Sequence, residues 1–310
     1  MTCIVILLVC LIVVLSLNHA YKRTNAYFNQ YYPHWDFNQK NVEKIIILGS
    51  TYSRYAFEGF KYLRIKHTNF TLNSQSVEDT YKNLKNVESK LNKNIVILSL
   101  APCTLMYEGE GMFRMPGTTK ANLKQKVKFA FPILNPKRLL KLISDESRYC
   151  DIYDARTQVN SQNEAEKQMK ALVDIWKQSF ALDDLMNDNL PAKVLKTIKK
   201  NIEWLSRIID ICEKHECKLV IIIPPFSDLL NKHMSKDFVD KALLTPLEGM
   251  ISQHKNIHVF DYRRNEDFQS INDYLDGGFI LNRNGSQKFI DRVNESLNLN
   301  LSNRKFGLDY

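Results

Sequence analysis

Few residues in this chain combine a type and a spacing suited to chemistry. Gly49-Ser50-Thr51-Tyr52-Ser53 places three hydroxyls directly after an apolar run, and Asp276-Gly277-Gly278-Phe279-Ile280-Leu281-Asn282 carries one carboxylate and one amide among glycines and apolar residues. A hydroxyl attacks an acyl carbon only when a neighbouring base, most often an imidazole, takes its proton. Acyl-ester chemistry would therefore need these two segments to meet with a base between them. Glu108 and Glu110 flank Gly109 and either contact sugar hydroxyls or lie solvated in a loop. Asp183, Asp184 and Asp188 make an acidic helix end with no second cluster to complete a metal site. Cys212 and Cys217 fit the end of a helix leading into a strand, both sulfurs packing as small apolar groups, better than they fit a metal pair. Neither a metal nor a cofactor is expected, and the lack of a glycine-rich phosphate loop argues against nucleotides.

The elements that must position these residues alternate. Lys44 to Leu48, Asn69 to Asn73, Asn94 to Leu100, Leu219 to Ile223 and Ile257 to Asp261 read as five strands, the clearest of them apolar almost throughout. Helical spacing fills Gln75 to Leu91, Pro191 to His215 and Val239 to His254, and Pro224-Pro225 stops the fourth strand. Near-continuous apolar strands alternating with helices indicate a parallel sheet covered on both faces. The expected fold is α/β, a three-layer α/β/α sandwich around a doubly wound, mostly parallel five-stranded sheet. A helical insertion is expected over about 103–190. Ligands of such sheets bind beyond the carboxyl ends of the strands, where the Gly49 loop falls.

Ahead of that domain, Cys3 to Leu17 is apolar except for Ser16, a length suited to a single N-terminal transmembrane helix or signal anchor over residues 1–20. Asn18-His19-Ala20 is a poor cleavage site, and no basic segment precedes the run. Lys22 and Arg23 follow it, which by the positive-inside rule would favour a cytoplasmic body, although a large domain translocates regardless of so few charges. An aromatic-rich stalk over 21–43 would link the anchor to a domain over 44–300, with a tail over 301–310. Across all 310 residues, 43 Lys and Arg against 34 Asp and Glu give a net charge of +9. The lysines are dispersed and not interleaved with aromatics, which argues against nucleic acid and leaves anionic polymers or lipid headgroups as attracted partners.

The loop Gly49-Ser50-Thr51, the Pro224-Pro225-Phe226 turn and the Asp276 to Phe289 segment resemble, in that order, the SGNH (GDSL-type) hydrolase superfamily. The closest likeness is to its membrane-anchored bacterial branch, which serves alginate O-acetylation and lipoteichoic-acid D-alanylation. The resemblance covers roughly Lys44 to Leu297 and implies a sheet of the kind inferred from periodicity. It also implies a nucleophile at Thr51 where the family has serine, Asp276 in support of the base, and Gly49, Ser50, Ser74 and Asn282 around the oxyanion or substrate. The family closes on Asp-x-x-His, but Phe279 stands at the histidine position, or Ile280 if the alignment is anchored on Leu281-Asn282. His233, in the loop after Pro224-Pro225, is the substitute base by position. Ala101-Pro102-Cys103 lacks the family's Gly-x-Asn after the third strand.

What the resemblance implies is a membrane-anchored, extracytoplasmic protein transferring or hydrolysing an acyl ester on a surface polysaccharide. With both catalytic positions changed, the alternative is a non-catalytic glycan-binding or scaffold component working beside a membrane-bound acyltransferase.

Overall fold

The computed structural model describes residues 2–21, 42–62, 65–71, 73–109, 152–153, 158–254 and 257–297. Residues 22–41 of the stalk expected over 21–43, most of the first half of the expected insertion and the expected tail lie outside these residues. The chain divides into two units, one of Met1–Trp35 with Arg114–Arg156 and one of Asp36–Phe113 with Thr157–Tyr310. In the first, α1 (Thr2–Tyr21) is a 20-residue helix. Its side chains are described from Val9 onward, and Val9, Leu11, Ile12, Val13 and Leu15 are exposed. Among the described residues no helix is long and apolar enough to cross a membrane.

The second unit holds the sheet. Strands β1 (Ile45–Gly49), β2 (His67–Thr71), β3 (Ile95–Ser99), β4 (Lys218–Ile223) and β5 (Ile257–Asp261) run parallel in the order β2-β1-β3-β4-β5. That is one of the two common doubly wound orders, in which chain direction across the sheet reverses between β1 and β3. Side chains of a strand alternate between faces. Ile46 and Leu48 therefore enter one core with Leu98, Leu205, Ile209 and Ile221, and Ile45 and Ile47 enter the other with Phe57, Val220 and Phe289. The five residues of β1 are all buried. Such a run, with no polar position, is what two covered faces demand.

Helices supply the outer layers. The first core is covered by α4 (Val77–Asn86), α6 (Gln162–Phe180) and α7 (Ala192–Lys214), and α7 packs against α4. The second is covered by α2 (Thr51–Ala56), α3 (Gly59–Tyr62) and α11 (Arg283–Leu297). After β3 comes the short α5 (Pro102–Met106), and after β4 comes α8 (Asp228–Asn231). The stretch expected as one helix before β5 is α9 (Lys236–Val239), a π-helical turn over Asp240–Leu244 and α10 (Thr245–Ile251). Pro246 has no amide to give to the preceding turn, which accounts for the widened turn there.

Candidate functional site at the carboxyl ends of the strands

The crevice begins where β1 passes beside β3, with Leu48 in register with Leu98. Gly49 has φ +129°, and a Cβ on it would fall 2.2 Å from Ser53 Oγ and 3.3 Å from the Ser99 carbonyl oxygen. Only glycine lets the chain leave the strand so close to β3 and turn at once into α2. Ser50 is the N-cap of α2 in extended conformation, its carbonyl accepting the Arg54 amide at 3.2 Å. Thr51 opens the helix half-buried, and its Oγ1 accepts the Ser74 amide at 3.2 Å. Ser74 is in the left-handed region at φ 56°. The structure thus brings Gly49, Ser50, Thr51 and Ser74 together. Ser76 nearby caps α4, its Oγ accepting the Asp79 amide at 3.1 Å.

Four oxygens along this edge, Ser53 Oγ, Ser99 Oγ, Asn73 Oδ1 and Gln75 Oε1, are buried with no hydrogen-bond partner among the described residues. Leaving a buried polar atom unsatisfied costs about 1–3 kcal/mol, so this edge holds unused hydrogen-bonding capacity. Amide donors are scarcer. After β3 the Ala101 amide donates to Thr104 Oγ1 at 3.1 Å, and Pro102 has none to offer.

Asp276 is committed to its own loop. Its Oδ1 accepts the amides of Gly278, Phe279 and Ile280 at 3.1, 2.8 and 2.9 Å. The loop is pressed onto α6, since a Cβ on Gly277, at φ +88°, would come within 2.6 Å of Ala165 Cβ. The Gly278 carbonyl then accepts the Ser227 amide at 3.1 Å, tying the loop to the turn after β4.

Phe279, at the position where the resembling family carries its histidine, is the hub of an aromatic cluster. Its ring centroid lies 5.8 Å from Tyr52, 5.4 Å from Trp176 and 5.7 Å from Phe226. Ile280, the other alignment of that position, is buried. His233 is half-buried in the turn after α8, its amide donating to the Leu230 carbonyl at 3.0 Å. Asn282 is the residue before α11, and its Oδ1 accepts the Gly285 amide at 2.9 Å while its Nδ2 donates to the Asn272 carbonyl at 2.6 Å. That is the work of a helix N-cap.

Cys212 and Cys217 lie where α7 ends. The Cys217 amide donates to the Cys212 carbonyl at 2.7 Å and the Glu216 amide to the Glu213 carbonyl at 3.0 Å, with Glu216 at φ 51°. This double bond pattern is a Schellman turn. Both cysteines are buried, and burial pushes both thiols up. Among the described residues no group of three or more metal-ligating side chains assembles.

From the sequence neither Tyr52 nor Trp176 has a role at the site, and Phe226 figures only in the Pro224-Pro225-Phe226 turn. Trp176 lies on the buried stripe of α6 with Met169 and Val173, while Tyr52 sits between the hydroxyls of Thr51 and Ser53. The chain matches no family model and no curated protein.

Proposed function

We propose that the chain is a membrane-anchored, SGNH-like protein of the cell envelope whose crevice at the strand ends binds acylated surface glycan without turning over its ester. The observation that carries this reading is the Phe279 ring seated among Tyr52, Trp176 and Phe226. An aromatic ring cannot accept a proton from Thr51, but the half-buried Phe279, backed by the buried Tyr52, Trp176 and Phe226, offers a sugar an apolar surface. A membrane-bound acyltransferase is the partner such a binder would serve.

The anchor rests on the sequence, where Cys3 to Leu17 is apolar except for Ser16, a length near the short limit for a bilayer span. The exposed Val9, Leu11, Ile12, Val13 and Leu15 suit contact with lipid. Resistance of the full chain to alkaline carbonate extraction is the expected result, and protection from external protease would put the body on the cytoplasmic side.

The catalytic reading keeps one specific support: the Thr51 hydroxyl lies beside an amide donor, that of Ser74. In that reading Thr51 attacks the acyl carbon as His233 takes its proton, the ester's alkoxide leaves with that proton, water then hydrolyses the acyl-threonine, and Asp276 supports the base. Full-length protein in detergent, incubated with p-nitrophenyl acetate, separates the two. The expected rate is that of denatured protein, unchanged in Thr51→Ala, Asp276→Ala and His233→Ala. Turnover that disappears in Thr51→Ala would replace the binding reading with a threonine esterase.

A further inference from the structure

Apart from that crevice, a cavity of about 360 Å³ opens between the segment after α5, the end of α6 and the start of α7. Its walls are fixed by hydrogen bonds. Asn201, buried in α7, donates through Nδ2 to the carbonyls of Leu105 and Tyr107 at 2.9 and 2.8 Å. One turn earlier Thr197 donates to Glu108 Oε1 at 2.8 Å, which holds the carboxylate at the cavity wall. On the facing side α6 ends at Phe180, where Ala181 takes the left-handed conformation at φ 51° and turns the chain away.

The lining restricts what can bind. The lining residues Tyr107, Glu108, Ser179, Phe180, Lys193 and Thr197 include one carboxylate, one ammonium, three hydroxyls and two aromatic rings, the Thr197 hydroxyl being bonded to Glu108. A carboxylate disfavours an anion, an ammonium disfavours a cation, and the polar groups disfavour a purely apolar guest, because each would lose hydration without a new bond. A neutral polyhydroxylated ring meets all of them: its hydroxyls both donate and accept, and its C–H face covers an aromatic side chain. The cavity's 360 Å³ would hold roughly twelve waters at about 30 Å³ each, room for one six-membered sugar ring. That volume is at the lower end of small-molecule sites.

We infer that this cavity is a saccharide subsite for a single neutral pyranose unit, with Glu108 as its principal acceptor and Phe180 as its stacking surface. It shares a ligand class with the proposed function but not the residues, and it stands whether or not Thr51 is a nucleophile. The p-nitrophenyl acetate result bears only on the crevice.

Saturation-transfer NMR on the full chain in detergent tests the subsite, with methyl α-glucoside, methyl α-galactoside and N-acetylglucosamine as probes. At least one probe is expected to receive transfer at its ring protons. Glu108 and Ser179 are exposed, so Glu108→Gln and Ser179→Trp should fold as the parent does. Glu108→Gln removes hydrogen bonds to a charged acceptor, worth about tenfold or more in affinity, and Ser179→Trp fills the cavity and abolishes transfer. Thr51→Ala leaves it unchanged. No transfer to any probe, transfer undiminished in either cavity variant, or loss in Thr51→Ala would each overturn the assignment.

Discussion

The rings of Tyr52 and Phe279 stand 5.8 Å apart at 55°, so the residue beside the hydroxyl of Thr51 packs on the central ring of the aromatic cluster. Tyr52 also meets Phe289 of α11 edge-on at 6.2 Å. Phe279 packs against both cores. It therefore joins the two faces of the sheet at the crevice mouth. Removing a partly buried aromatic of this kind costs about 2–3 kcal/mol. Phe279→Ala is expected to lower the urea midpoint accordingly. Phe279→His should cost as much, by placing a polar ring among Tyr52, Trp176 and Phe226, and should leave ester hydrolysis at background.

Asn282 offers a contrast between substrate contact and helix cap. Asn282→Ala removes the acceptor of the Gly285 amide and leaves the Asn272 carbonyl without its donor. The two losses together are expected to cost about 2 kcal/mol of stability. Asn282→Asp keeps the cap and should recover about half. Thermal unfolding of the three proteins decides the matter, since a residue serving only a ligand would leave the transition where it was.

Glu88 lies before β3, at the far end of the sheet from the crevice. Hydrogen bonds from Lys214, at 2.8 Å, and from Lys85 hold its carboxyl down at about 2, with His215 adding a smaller contribution. An unfolded glutamate titrates near 4.3. A depressed folded value means that the stabilisation is complete above about pH 4.3 and is lost as the pH falls to about 2. Both lysines are more than half exposed, at 53% and 67%, so solvent screening limits the effect to about 1 kcal/mol. Glu88→Gln should be less stable than the parent by that amount at pH 6, and the gap in urea midpoints should close between pH 4.3 and 2.

Strands buried on both faces were the most legible part of the sequence, because such a strand leaves no room for a polar residue: β1, β3 and β4 begin and end within a residue of the apolar runs that announced them. β2 was placed two residues late. His67 and Thr68 are polar and extend no apolar run, yet they pair with Ile45 and Ile46, and a strand at the sheet's edge tolerates them. The doubly wound order could be inferred only as a class, since pairing is a long-range property. The site was legible where it was local. Gly49, Ser50 and Thr51 follow directly from the end of β1, whereas the contact of Thr51 with Ser74 depends on the turn after a neighbouring strand. What Asp276 does was hidden, because its three amide partners are set by the path of the loop. Phe279 could be read as a missing histidine but not as a hub, its ring partners coming from three distant segments.

Asn83 in α4 presents a different kind of buried polarity. It is fully buried, and both Oδ1 and Nδ2 lack a hydrogen-bond partner among the described residues. α4 packs against α7, β1 and β2, surroundings supplied largely by the apolar residues of the first core. An amide there has given up its hydration without compensation, a cost of about 1–3 kcal/mol. Leucine has a similar volume, a better helix propensity and no polar atom to desolvate. Asn83→Leu is expected to stabilise the protein by about 1–2 kcal/mol, raising the urea midpoint with no change in slope. Asn83→Asp should lower it, since a carboxylate in the same place must either be buried charged or take up a proton. An unchanged or lowered midpoint for Asn83→Leu would mean that the amide is satisfied in solution, and hydrogen exchange at the neighbouring α4 amides would then locate its partner.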